Sequence, residues 1–451
     1  MTRSTVGTIA LAATTAVLLF SATGYAGNQT PHVIVGDRAD VNADPAVAAH
    51  FRCELRPFDL SKGLFCYGPA AIRSAYGVNG LLSAGFDGRG HTIVILDAFG
   101  SPFAADDLKR FDKVFGLPDP NFAIITMPGT PPFDGNNANM VGWTAEIALD
   151  TQWSHAMAPA ANIILLAAKS DFDQDLTAAL NFAIDNNLGD VISMSFGESE
   201  LALANPDGLD IVQAWNDAFA KARSKHITLF VSSGDQGSDT QGFGVQSVSW
   251  PASSALVTGV GGTNLKFGTV TNADPNGAYR SESVWNDLAG AGGGGMSILT
   301  NEPNYQKNNV PDAVNQLLHG HRGVPDVAYN AGLAGGVIAA WSAPFGPGAF
   351  FIFAGTSAGA PQWSGIIADI NVARGGRLGF LNRRLYNLGG SGNLTGLFHD
   401  ITTGDNSFLG VPGYAATPGF DLSTGWGTPN FGQLGVIIAD PNPDSGQTTQ
   451  L

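Results

Sequence analysis

Charge is what this chain has least of. Asp, Glu, Lys and Arg make up 13% of its 451 residues, about half the usual globular share. Few ionised side chains have to be neutralised as pH falls, so acid unfolding has little to act on. The basic residues, 22 against 38 acidic ones for a net charge of −16, are too scarce for a nucleic-acid surface, which needs a basic face to displace counterions. Cysteine occurs only as Cys53 and Cys66, too few for a zinc module. Beyond residue 26 no apolar run is long enough to cross a bilayer. What is plentiful is hydrophobic side chain, 44%, and glycine, 59 residues. These exclude a disordered chain and imply many tight turns.

Residues 1–26 read as a secretory signal. Arg3 supplies the positive start, Ile9 to Phe20 the apolar run and Gly24-Tyr25-Ala26 the small-residue cleavage site. The mature protein is therefore expected outside the cytoplasm, extracellular or periplasmic, with no membrane attachment. In an exported chain two cysteines favour a disulfide, so Cys53 and Cys66 are expected to staple a loop within a short segment, residues 27–65. That segment lacks periodicity. Residues 441–451 read as a polar tail.

Between them, residues 66–440 alternate short apolar runs with helical patterns. Strands are expected at His91–Asp97, Ala161–Ala168, Asp190–Ser195, His226–Ser232, Ala255–Val260 and Ala349–Ala354. Helices are expected at Ala104–Phe115, Val141–His155, Phe172–Asn187, Leu209–Lys225 and Ser357–Val372. Continuous apolar strands alternating with helices indicate one α/β domain, a mostly parallel central sheet with helices on both faces. In such sheets the active site lies beyond the strand C-termini.

Gly355-Thr-Ser357-Ala-Gly359 joins a strand to a helix, where a serine is either a helix cap or a nucleophile. Three activators are available to it. A hydrolase-type elbow needs a downstream acid and histidine, for which only Asp369 and His399 offer themselves. A subtilisin-type triad needs Asp, then His, then Ser; Asp97 and His155 fall in that order, but no histidine opens a helix after Asp97. The third activator is a carboxyl base. Glu146 and Asp150 are four apart on the 141–155 helix, among Trp143, Ile147, Leu149 and Trp153 and without Lys or Arg. Like charges at that spacing cost about a few tenths of a kcal/mol unless protonation is shared. A further acid, Asp235, follows the 226–232 strand in Ser233-Gly234-Asp235.

Gly142–Asp150 (GWTAEIALD), Ala158–Ile163 (APAANI), Ile192–Gly197 (ISMSFG), Ser233–Asp235, Trp250–Ser254 (WPASS), Val260–Thr263 (VGGT), Pro325–Val327 and Gly355–Pro361 (GTSAGAP) stand in that order. Together they resemble the sedolisin family of serine-carboxyl peptidases, over residues 65–440. The resemblance implies a subtilisin-like fold and a secreted, acid-active endopeptidase acting on protein or peptide substrates; nothing in the sequence suggests an obligate partner, so a monomer is expected. It implies Ser357 as nucleophile, Glu146 as general base, Asp150 as the residue that holds and tunes it, and Asp235 as oxyanion donor. Asp97 either extends the Asp150 hydrogen-bond chain or caps a loop, and Trp153 lines the site or packs in the core. The resemblance also implies one structural Ca²⁺ held by the side chains of Asp400 and Asp421 and the carbonyls of Ile401, Thr417 and Gly419. Family members begin with a large folding prosegment; only residues 27–65 stand in that place here, so self-processing is not expected. A histidine-dependent subtilase or esterase, or an inactive binding protein on the same scaffold, remains the alternative.

Overall fold

The computed structural model describes residues 18–19, 27–42, 49–56, 63–267, 279–343, 346–392 and 396–439. The signal reading falls outside these residues apart from Leu18 and Leu19, and the polar tail falls outside them entirely.

The central sheet comprises β1 (Thr92–Ala98), β2 (Phe122–Thr126), β3 (Asn162–Ala168), β4 (Val191–Met194), β5 (Thr228–Ser232), β6 (Thr258–Phe267), β7 (Tyr279–Val284) and β8 (Val327–Asn330). Its order is β7-β6-β5-β4-β1-β3-β2, with β8 also pairing β6. Every pairing is parallel except that of β6 with the edge strand β7. The alternation of β1 explains the layers. Ile93 and Ile95 pack with Ile147 and Ala368, from helix α1 (Ala138–Met157) and helix α2 (Gly359–Arg374). Val94, Leu96 and Ala98 face the other way, onto Leu176, Leu180 and Trp215 from the helices Asp173–Asp185 and Pro206–Ser224. A strand apolar on both faces needs a helix on each, and this sheet has them.

The expected elements appear, most with shifts of a few residues at their ends; the strand expected at Ala255–Val260 runs instead over Thr258–Phe267. Two features differ. The strand before Ser357, Phe350–Ala354, is not in the central sheet; it belongs to a second sheet, antiparallel to Gly336–Ala340 on one side and Ile34–Arg38 on the other. The N-terminal segment, expected to be irregular, thus donates a strand beside the nucleophile's own. A Cys53–Cys66 disulfide closes the expected loop. Among the described residues no helix is long and apolar enough to cross a membrane.

Candidate active site

Asn137 caps α1, its side chain accepting from the amides of Asn139 and Met140. From Met140 to Met157 every residue is buried, so α1 is a core helix with no solvated face on which to park a charge. Glu146 and Asp150 are both fully inaccessible. Burial pushes both carboxyls well above their ordinary range, and neighbouring acids push in the same direction: Asp150, Asp97 and Asp235 on Glu146, and Asp97 on Asp150. Hydroxyls pull back, Ser357 on Glu146 and Ser195 on Asp150. Ser195 Oγ donates to Asp150 Oδ1 at 3.0 Å. Asp97, at the C-terminal end of β1, is pushed up to about 8 by burial and joins the cluster rather than capping a loop. Neither oxygen of Asp97 or Glu146 has a hydrogen-bond partner of ordinary geometry among the described residues. Burial of such carboxyls favours their protonated, neutral form.

Asp235 approaches from the loop after β5. Its Oδ1 accepts from the Thr356 amide at 2.8 Å and the Thr356 hydroxyl at 2.9 Å. Its Oδ2 is buried without a partner, and burial, opposed by the Thr356 bonds, pushes the group up to about 7. The glycine run explains how that loop is held. Ala291 N donates to the Asp235 carbonyl, and a Cβ on Gly293 would sit 2.0 Å from the Ser233 carbonyl oxygen. Gly355, at φ 110°, is equally constrained: a Cβ there would come within 2.4 Å of the His32 carbonyl oxygen and 2.5 Å of Asp235 Oδ2. Ser357 follows in a 3₁₀ turn, Thr356–Ala358, ahead of α2. Its hydroxyl donates to the Ser195 carbonyl at 3.4 Å and its amide to the His32 carbonyl at 3.3 Å.

The structure therefore gathers Ser357, Glu146, Asp150, Asp235 and Asp97, all from motifs legible in the chain. The histidines proposed as activators are engaged elsewhere. His155 Nε2 meets the Pro118 carbonyl at 2.8 Å, and His399 stacks on Tyr279 with centroids 3.7 Å apart. Asp369 lies ten residues into α2, about 15 Å along its axis from the helix start. His32 is near Ser357 through its backbone, but its ring is bonded to Ser232 Oγ at 2.8 Å. Trp153 is a core residue: its Nε1 donates to the Ile338 carbonyl and its ring meets Phe111. Sequence reasoning passed over Ser195 and Thr356, though both sit inside the quoted motifs and orient the acids. It also passed over the 27–38 segment, for which no periodicity gave a signal.

The loop pair near the C-terminus is also assembled. Gly419 N donates to Asp400 Oδ1 and Oδ2 at 3.2 and 3.1 Å. Asp421 accepts from the amides of Thr417, Ser423 and Thr424. Among the described residues no group of three or more His, Cys, Asp or Glu side chains could hold a metal ion.

A model described as the subtilase family matches residues 136–376. Kumamolisin of Bacillus sp. (strain MN-32) is 31% identical over 398 residues, covering 85% of this chain and 67% of its own. Sedolisin of Pseudomonas sp. (strain 101) is 33% identical over 363 residues, covering 77% of this chain and 57% of its own. The chain thus spans between about half and two thirds of these relatives. A solved structure of Pseudomonas sedolisin, a serine-carboxyl proteinase complexed with two molecules of pseudo-iodotyrostatin, aligns with TM-score 0.67 at 27% identity, covering 83% of this chain and 98% of that one.

Proposed function

The chain belongs to the sedolisin family of serine-carboxyl peptidases, and from that premise we propose that it hydrolyses peptide bonds through Ser357 in acid. The observation that carries the reading is the company Ser357 keeps: four buried carboxyls with raised pKa values and no imidazole on its hydroxyl. Ser357 Oγ attacks the substrate carbonyl and its proton passes to Glu146. The tetrahedral oxygen is met by the Ser357 amide and by a protonated Asp235 donating from Oδ2. Glu146 then returns the proton to the leaving amine, and water resolves the acyl-enzyme along the same route. Asp150, held by Ser195, and Asp97 keep protons beside Glu146, so that a single negative charge is stabilised on the base. Secretion is part of the proposal, supported by the apolar leader and the disulfide.

The test is the pH dependence of hydrolysis of denatured casein. The base needs an ionised carboxyl in the Glu146 cluster, so activity falls in strong acid as the last of these protonates. The donor needs a protonated Asp235, so activity falls as pH rises through about 7. A maximum below neutrality is expected; an optimum above pH 8 would discard the reading in favour of a histidine-dependent enzyme, and no activity at any pH would favour a binding protein.

We also propose one structural Ca²⁺ on Asp400 and Asp421 with the carbonyls of Ile401, Thr417 and Gly419. Hard oxygen donors on one loop pair suit the ion, and carboxylates that already accept amide hydrogens keep lone pairs for it. The ion would cross-link the loops. Adding EDTA should lower Tm and excess Ca²⁺ restore it, a site held at about 100 times Kd contributing about 2.7 kcal/mol. A Tm indifferent to both would remove the ion.

A further inference from the structure

The segment before Ile34 lies along the site as an extended peptide, so it shows where the side chains of a bound peptide go. Thr30 and Pro31 pair antiparallel with Gly197 and Phe196, as bound peptides add to sheet edges. His32 N donates to the Ser195 carbonyl at 3.1 Å and Gln29 N to the Asp171 carbonyl at 2.9 Å. The His32 carbonyl oxygen takes the Ser357 amide at 3.3 Å, which makes His32 the residue whose carbonyl faces the nucleophile. Counted back from His32 as the first, Gln29 is the fourth position.

The Gln29 side chain ends between two acids. Asp173 opens the helix Asp173–Asp185 and Glu198 stands on the strand Phe196–Ser199. Glu198 is fully buried and Asp173 is 2% exposed. Gln29 Nε2 donates to Asp173 Oδ1 at 2.8 Å and to Glu198 Oε1 at 3.1 Å. Trp215 Nε1 also donates to Asp173 Oδ1, at 2.6 Å, and the Gly27 amide to Glu198 Oε2 at 3.1 Å. Among the described residues no ion pair joins either carboxyl to a basic side chain. Burial and the neighbouring Asp173 push Glu198 up to about 10. Two acids buried side by side are costly without a cation, and the framework around them supplies none.

The amide seated there is an incomplete partner for them. Both of its N–H groups are used, while its carbonyl oxygen, Gln29 Oε1, is buried without a partner, and so is Asp173 Oδ2. An ammonium brings three donors and no acceptor. It would bury no orphan oxygen of its own, would offer a third hydrogen to Asp173 Oδ2, and would supply the missing charge. An apolar side chain would dry both carboxyls and give them nothing in return.

We propose that Asp173 and Glu198 set the specificity for the fourth residue before the cleaved bond, selecting an ammonium before an amide and an amide before an apolar chain. The inference rests on the peptidase reading above and deepens it. The pair is remote from the reacting atoms along the bound peptide. It therefore acts on the grip of the substrate, and proton transfer at Ser357 is left to Glu146. A site built on hydrogen bonds rejects a ligand that cannot make them, so the discrimination is expected in kcat/KM.

The experiment uses internally quenched peptides containing Xaa-Thr-Pro-His-Val, with Xaa ornithine, glutamine or methionine, and mass spectrometry to locate the cut. Ornithine places its ammonium on the atom where glutamine has its amide nitrogen; methionine has the same reach and no donor. The purified full chain is assayed in acidic buffer, with casein hydrolysis measured alongside. The expected order of kcat/KM for cutting after histidine is ornithine, glutamine, methionine, with at least tenfold between the first and the last. In Glu198→Gln and in Asp173→Asn the ornithine-to-methionine ratio should shrink at least threefold. That ratio compares two substrates on one enzyme, so a partly unfolded preparation does not move it. Peptides cut at equal rates, a preference for methionine, or a ratio unchanged in both variants would overturn the inference and leave the peptidase reading standing. If neither casein nor any of the peptides is cut in acid, both readings fall.

Discussion

Glu146→Gln should lower kcat on a peptide substrate at least ~10³-fold, toward the upper end of what a positioned general base contributes. Glutamine keeps the volume and shape of the side chain inside a helix with no exposed face, so the core around Trp143 and Ile147 is undisturbed. What is lost is the ability to take the Ser357 proton. The substitution also removes an acid that crowds Asp150 and Asp97, so Tm should hold or rise while activity disappears. That pairing separates a chemical role from a structural one, because a variant that merely misfolds loses both. A kcat within tenfold of the parent, with Tm unchanged, would show that the proton goes elsewhere.

Asp235 offers a sharper pair. Asp235→Ala deletes the proposed oxyanion donor and should cost about 100- to 1,000-fold in kcat. Asp235→Asn should not. Its amide oxygen takes the place of Oδ1 and still accepts from the Thr356 amide and hydroxyl, while its NH₂ stands where the unpartnered Oδ2 now is. An amide donates at any pH. The acid donates only below its pKa, pushed up to about 7. In Asp235→Asn the loss of activity on raising pH through that range should therefore vanish, the remaining profile being set by the Glu146 cluster. If Asn is as inactive as Ala, or if the alkaline limb does not move, Asp235 acts by some means other than donating a proton-borne hydrogen bond.

Much of this site could be read along the chain because each part sits in its own strong local pattern. Asp97 closes an apolar strand, Asp235 follows another, and Glu146 and Asp150 share a helix face with no basic residue to pair them. What no local pattern carried was their convergence. Asp97, Glu146, Asp235 and Ser357 come from distant stretches, and only the parallel order of β5, β4 and β1 over α1 and α2 brings them together. Ser195 and Thr356 were passed over for a related reason. A serine or threonine announces nothing until the acid it hydrogen-bonds is beside it.

The N-terminal segment shows the other limit. Gln29-Thr30-Pro31-His32-Val33 has no amphipathic period because its environment is not a sheet with one wet and one dry face. Thr30 and Pro31 pair with one strand, Phe196–Ser199, and Ile34 onward with another, Phe350–Ala354. The scarcity of charge, the cysteine pair and the strand–helix alternation follow from composition and short-range order, and these determine the fold class. Which hydroxyl meets which carboxyl, which oxygens stay buried without partners, and which carbonyl accepts the Ser357 amide depend on contacts between residues 45 or more positions apart in the chain. Those contacts exist only once the core has closed around them.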